Sequence, residues 1–152
     1  MSVRYLNVDC ILRSDYSLAD AIDLLRPQIF VLWEEINSDR SSVGIETNLT
    51  NSKNPEEDIL EFVKLFESLS PHLRQLINGC NEKIFDIGFE GSDFGNVLDV
   101  TLRPSTIQKI HELGFSVNIR IYPAEQSDKN PIRIPQHPVC WIECKIWKTN
   151  GD

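Results

Sequence analysis

The sequence predicts an α+β fold, a two-layer sandwich in which a mainly antiparallel sheet is backed by helices. Three observations support this prediction. Apolar residues alternate with a period of two in several short segments, amphipathic helical segments separate these strands, and prolines and glycines mark the boundaries. Because the helices alternate with pairs of strands and not with single strands, an antiparallel or mixed sheet is favoured over a doubly wound parallel one.

The first strand is predicted at residues 4–12, where every second residue is apolar. Its inward side chains would be Leu6, Val8, Cys10 and Leu12. A short helix follows, because Ser17 and Asp20 have the spacing of a capping box and apolar residues recur at helical spacing until Pro27. This helix is expected to cover the strand.

A hairpin is predicted next. Residues 29–33 are a continuous apolar run rich in strand formers, and residues 43–49 alternate between apolar and polar or small side chains. The turn-prone residues 37–42 separate the two segments.

Two helices are predicted after the hairpin. Asn54 can cap the first, with Pro55 at its first position and an acid at its third, and an apolar stripe runs to residue 69. Ser70 and the proline after it begin the second helix, which is expected to end near Gly79.

Further strands are predicted at residues 83–90 and 97–102, joined by turn-forming residues. After Pro104, a helix would end at Gly114 and lead into a strand at 117–121.

The rest of the chain is interpreted from its prolines. Residues 123–138 contain four prolines and are expected to form a long surface loop. Residues 139–147 are expected to form a last strand, and residues 148–152 a frayed tail.

The composition does not shift along the chain, so residues 1–152 are predicted to form a single domain. The first elements have the order of a ferredoxin-like βαββα unit, which further strands would extend.

The charge limits the classes of partner. The chain has 23 acidic and 15 basic side chains and a net charge of −8, which repels the phosphate backbone of nucleic acids. The same charge favours solubility and encounter with a basic protein. The sequence has no apolar run of about 20 residues and begins without a signal-peptide pattern, so we expect no membrane association and a cytoplasmic location.

No pattern of a metal, cofactor or catalytic site is evident. The four cysteines lack CxxC spacing, and the three histidines are far apart in the sequence. His72 and His111 are predicted on helix surfaces. Nucleophile-elbow, phosphate-loop and dinucleotide-binding patterns are missing, so we expect a non-enzymatic chain without a cofactor.

The acids near residue 90 have two interpretations. Alternation places Asp86 and Glu90 on one face of a strand, and Asp99 on its predicted hairpin partner. Grouped carboxylates can bind a hard cation or act as an acid and base pair. The solvated face of an antiparallel sheet is equally polar, and this second interpretation is favoured.

The outward residues of the predicted strands combine aromatic and charged side chains. They are Tyr5, Asn7, Asp9, Asn118, Arg120, Tyr122, Trp141, Glu143, Lys145 and Trp147. If helices cover only one face of the sheet, this set forms an open surface with aromatic anchors. Alternatively, the proline-rich loop or a helix covers Trp141 and Trp147. The candidate partner-binding residues are Tyr5, Asp9, Asp86, Glu90, Arg120, Tyr122, Trp141 and Trp147.

Three segments resemble a known family. They are Ser-Ser-Val-Gly-Ile-Glu-Thr-Asn at 41–48, the capped helix at 55–69, and residues 106–123, where a helix, a Leu-Gly turn and a strand ending in tyrosine follow one another. This pattern, over most of residues 8–122, resembles the bacterial family of domains of unknown function numbered 4279. The family has no established catalytic residues. Small acidic domains of this kind also resemble immunity proteins that neutralise secreted bacterial toxins.

Three functions are therefore weighed. The leading one is a non-enzymatic protein that binds a basic partner, with an immunity protein as its specific form. The second is a small-molecule binder or small enzyme whose pocket lies near the 123–138 loop and is lined by Arg120, Tyr122 and Trp141. The third is a homodimer built through an edge strand.

Overall fold

The computed structural model describes residues 3–48, 52–91 and 98–123. In this part of the chain the elements are β1 (Arg4–Ser14), α1 (Ala19–Leu25), β2 (Ile29–Ile36), β3 (Ser41–Thr47), α2 (Pro55–Ser68), α3 (Pro71–Asn78), β4 (Glu82–Gly91), α4 (Pro104–Glu112) and β5 (Ser116–Pro123). The predicted α+β fold is confirmed. Among the described helices, none has the length and apolar character needed to cross a membrane.

The five strands form one sheet in the order β2-β3-β1-β4-β5. The β2–β3, β3–β1 and β1–β4 pairs are antiparallel, whereas β5 lies parallel to β4 after the crossover helix α4. The sheet is therefore mixed but mainly antiparallel, as predicted. The order of the first four strands, with a hairpin strand inserted between β1 and β2, is that of the ferredoxin-like split βαβ arrangement.

The core lies between one face of the sheet and the helices, and four phenylalanines run through it. Phe62 and Phe66 come from α2, Phe85 from β4, and Phe115 from the turn before β5. The rings of Phe85 and Phe115 are stacked with centroids 4.2 Å apart, and Phe62 lies 5.6 Å from Phe85. This chain of rings joins α2 to the β4–β5 end of the sheet.

Helix α2 begins as the sequence predicts. The Asn54 side-chain oxygen accepts a hydrogen bond from the backbone N–H of Glu57 at 3.1 Å. In return, the Glu57 carboxylate accepts from the backbone N–H of Lys53 at 3.0 Å. This reciprocal capping satisfies backbone donors at the start of the helix and fixes where it begins.

The capping box predicted for α1 is wrong. The helix begins at Ala19, its N-cap position is Leu18, and no side chain caps it. Ser17 accepts only from the backbone N–H of Ala19 at 3.3 Å. Burial determines the start of this helix instead, because Leu18, Ile22 and Leu25 are all at most 1% exposed.

The strand predicted at 97–102 is also wrong for its described residues. Residues 98–103 form no strand and connect β4 to α4. Their alternation is nevertheless real, because Leu98, Val100 and Leu102 are partly buried against the core. Alternating burial can arise from a connection that packs one side on the core, and it does not by itself imply backbone pairing.

The loop predicted at 123–138 lies outside the described residues except for Pro123, the last residue of β5. The strand predicted at 139–147 and the tail at 148–152 lie outside them as well.

Candidate functional site

The described helices pack on one face of the sheet, and we call the opposite face, which none of the described helices covers, the open face. Alternation assigns residues to it: Val8, Cys10 and Phe85 point into the core, so Asp9, Ile11 and Asp86 point away from it. The open face has a polar half, described first, and an apolar half.

The polar half is built around Asp86 on β4. The side-chain Nδ2 of Asn118 donates to Asp86 Oδ1 at 2.9 Å, and the guanidinium Nη2 of Arg120 lies 2.9 Å from Asp86 Oδ2. Both partners come from β5, the parallel neighbour of β4. Asp86 is only 3% exposed. The prediction that this carboxylate belongs to a solvated acidic face is therefore wrong, because β5 supplies two groups that bind and cover it.

Asp9 lies directly opposite Asp86 on the neighbouring strand β1. The side-chain Nδ2 of Asn7 donates to Asp9 Oδ1 at 2.8 Å and also to Glu46 Oε1. Burial, the hydrogen bond and charge of Glu46, and the charge of Asp86 together raise the pKa of Asp9 to about 7, against the opposing charge of Arg120. Asp9, Glu46 and Asp86 thus form a row of carboxyl groups across three adjacent strands.

Gly88 and Tyr122 complete this half. A Cβ at Gly88 would lie 2.8 Å from Asn7 Oδ1 and 3.6 Å from the Tyr122 ring. A side chain at position 88 would therefore displace the amide group of Asn7. Tyr122 is 40% exposed and accepts a hydrogen bond from Arg120 Nη1 at 3.4 Å.

The apolar half lies toward β2. Gly44 on β3 has no side chain, and the ring of Trp33 occupies the place where its Cβ would be. Ile11, paired with Gly44, is buried on this face at 7% exposed. Trp33 and Phe30 are 40% and 56% exposed at the sheet edge. The open face therefore presents aromatic side chains next to the acidic row.

Tyr5 does not lie on the open face, and that prediction is wrong. A bulge between Tyr5 and Asn7 shifts the register of β1 against β4, so Tyr5 pairs with Phe89 and packs its ring against it. The same extra residue turns Leu6 outward, where it is 39% exposed and not inward as predicted. A bulge reverses the side-chain alternation on one side of it.

On the helix side, the Tyr5 hydroxyl donates to the buried carboxyl group of Asp58 on α2. Burial raises the pKa of Tyr5 and also that of Asp58, although the Tyr5 hydrogen bond acts on Asp58 in the opposite direction. This bond ties the first strand to the first turn of α2.

We expect Tyr5→Phe to lower the free energy of unfolding by about 1–3 kcal/mol, because it leaves a buried carboxyl group without one hydrogen-bond donor. Tyr122→Phe removes the same hydroxyl group from an exposed ring and should change it by less than about 0.5 kcal/mol. Urea unfolding of both variants measures the difference. Equal losses would contradict the role assigned to the Tyr5 hydroxyl group.

The other predicted residues are distributed as follows. Glu90 lies near the end of β4. Its Oε2 atom lies 2.9 Å from Nη2 of Arg4, on the neighbouring strand β1. Asp99 is exposed in the connection to α4 and is not on a hairpin partner of β4. His72 and His111 are exposed on α3 and α4, as predicted. Trp141, Glu143, Lys145 and Trp147 lie outside the described residues.

Sequence reasoning missed Glu46, as it missed the exposed Phe30 and Trp33. Glu46 follows Ile45, which points into the core, so the same alternation that selected Asp9 could have placed it on the open face. Only the pairing of β3 with β1 brings it beside Asp9.

A groove of about 560 Å³ opens at the end of this polar half. Its lining includes Asn7, Glu46, Thr47, Ser52 and Asp58, so it is rich in oxygen atoms that accept hydrogen bonds. Within the described ranges, no group of three or more His, Cys, Asp or Glu side chains has the geometry to hold a metal ion. The groove therefore suits an amine or hydroxyl group that donates hydrogen bonds.

Comparisons with models of protein families, with curated proteins and with solved structures yield no match, so the resemblance to the family numbered 4279 stays a prediction.

Proposed function

We propose that this chain is a non-enzymatic protein-binding domain that holds a basic partner protein against the open face of its sheet. The observation that carries the proposal is the pair of partly exposed carboxyl groups of Asp9 and Glu46 on adjacent strands of that face. Asp86 completes the row beneath its partners Asn118 and Arg120. The net charge of −8 acts in the same direction at longer range, since it attracts a basic protein and accelerates encounter.

Exposed aromatic side chains beside the row support the proposal. Tyr122 lies at one end of the open face, and Trp33 and Phe30 lie at the other. Partly exposed tyrosine and tryptophan side chains are the residues most often found as anchors at the centre of protein interfaces. The face therefore offers both parts of an interface: anchors for affinity and charges for specificity.

Within this class we propose an immunity protein, which neutralises a toxin by occupying its surface. The resemblance to small acidic immunity domains and the excess of acidic residues support this narrower form. Such a role implies a chain that acts in the cytoplasm.

The test is a comparison of captured proteins. The tagged chain is expressed in its own cell type, and the proteins it retains are compared between the wild type and Glu90→Lys, which reverses a charge at the rim of the open face. We expect the reversal to weaken retention of a basic protein at least tenfold at low salt, and added salt to weaken binding to the wild type as well.

Glu112→Lys is the matched control, because it makes the same charge change at an exposed position on α4, on the helix side. Thermal unfolding of both variants verifies that they are folded. Loss of the same protein in both variants, or in neither, would contradict a binding role for the open face.

The groove favours a second function. Its volume of about 560 Å³ lies in the range of small-molecule sites, and its lining combines polar side chains with the apolar Leu6 and Val8. Thr47→Trp would fill it and should abolish stabilisation by a small polar ligand.

The exposed apolar residues of β2 favour a third function, a homodimer formed through this edge strand. Phe30 and Leu32 are 56% and 44% exposed there. Light scattering of the purified chain distinguishes a monomer from this dimer.

A further inference from the structure

The carboxyl groups of Asp9 and Glu46 lie side by side on adjacent strands, and Asn7 links them. The single Nδ2 atom of Asn7 donates one hydrogen bond to Asp9 Oδ1, at 2.8 Å, and another to Glu46 Oε1. Each carboxyl group therefore has an oxygen atom within hydrogen-bonding distance of the same nitrogen. Two carboxyl groups this close do not both ionise readily, unless a cation compensates their charges.

The charged groups that face Asp9 come from three strands. They are Glu46 on β3, Asp86 on β4 and Arg120 on β5. The guanidinium of Arg120 makes its ion pair with Asp86, at 2.9 Å. Arg120 opposes the rise in the Asp9 pKa without cancelling it. The polar contact that Asp9 and Glu46 share is the neutral amide of Asn7.

We propose that Asp9 and Glu46 share one proton in the folded chain, which Asp9 holds and donates in a hydrogen bond to Glu46, so that the open face acquires one further negative charge when this proton is lost. Partial burial of Asp9 and the proximity of Glu46 and Asp86 act together, and they raise the pKa of Asp9 to about 7. The proposal concerns the free chain and holds whether or not the open face binds a partner.

The effect on stability has a definite sign. The pKa of Asp9 rises from 3.8, its ordinary value, to about 7 in the folded chain. Between these two pKa values, the folded state therefore binds more protons than the unfolded state. The stability that Asp9 contributes is fully present below the unfolded-state pKa, and it is lost as the pH rises to the folded-state pKa. One proton changes the unfolding constant by at most tenfold per pH unit.

Carbon-13 NMR of the aspartate side-chain carboxyl groups tests the proposal directly. We expect the Asp9 signal to titrate with a midpoint near 7. In Glu46→Gln, which removes the neighbouring charge, the midpoint should fall by about one pH unit or more. A midpoint near the ordinary aspartate value in the wild type would overturn the proposal.

Stability measurements provide an independent test. The ratio of the unfolding constants of the wild type and Asp9→Asn should rise by more than about tenfold between about pH 5 and about pH 8, because the amide cannot ionise. Asp39→Asn, at an exposed position between β2 and β3, is the control and should show no such trend. A flat ratio for Asp9→Asn would also count against the shared proton.

A consequence for binding depends on the proposed function. A basic partner on the open face should bind more tightly above neutral pH than below it, by several-fold, because the face then has an additional negative charge. An NMR midpoint near 7 without such a change in affinity would count against the proposed function and leave the shared proton supported.

Discussion

Phe85→Ala is expected to lower the free energy of unfolding by about 3–5 kcal/mol. The side chain is completely buried, and its ring stacks on Phe115 and contacts Phe62. Its strand β4 is held between β1 and β5, so the backbone cannot move inward to fill the cavity that alanine would leave. Equilibrium unfolding in urea measures the loss.

Phe30→Ala is the matched control, because it removes the same ring from a position that is 56% exposed on the edge strand. We expect it to cost less than about 1 kcal/mol. If both variants lost the same stability, the four-phenylalanine cluster would not be the centre of the core.

Asp86→Ala should cost about 2–3 kcal/mol, the second largest effect. The substitution removes an acceptor that is 3% exposed and leaves Asn118 and Arg120 without their hydrogen bond and ion pair to it. Removal of one member of a fully buried ion pair costs about 3–5 kcal/mol, and the smaller value is expected because the Arg120 side chain is 35% exposed.

The control is Glu82→Ala, which removes the carboxylate that pairs with Arg13. Both side chains of that pair are about half exposed, so the loss should stay below about 1 kcal/mol. Thermal and urea unfolding measure the loss of stability in each of the two variants. If Asp86→Ala cost no more stability than Glu82→Ala, the burial of Asp86 would add nothing to the strength of its ion pair with Arg120.

The sequence predicted the elements whose signals are local. Examples are the cap at Asn54, the end of α4 before Gly114, and the alternation of β1 from Asn7 onward. Each depends only on residues close by in the sequence. Residues 98–102 show the limit of that reasoning. Their apolar residues alternate as in a strand. Whether a segment pairs depends on the strands that lie beside it in the fold, and the local sequence does not specify those strands.

The site was predicted in part for the same reason. The outward positions of Asp9, Asn118 and Arg120 follow from alternation. Their contacts do not, because Asp86 obtains its partners only from the parallel pairing of β5. The bulge at Leu6 was missed since no glycine or proline marks it, and it moved Tyr5 to the helix side.

The central position of β1 has a consequence for how the protein assembles. The first strand is joined on its β4 side by residues between 69 positions later, at Arg13 and Glu82, and 86 positions later, at Arg4 and Glu90. During synthesis on the ribosome, β1 must wait for β4 to emerge before both of its edges are paired, while the β2–β3 hairpin closes locally. Such distant pairings slow folding, and they leave an apolar strand edge open to aggregation in the nascent chain.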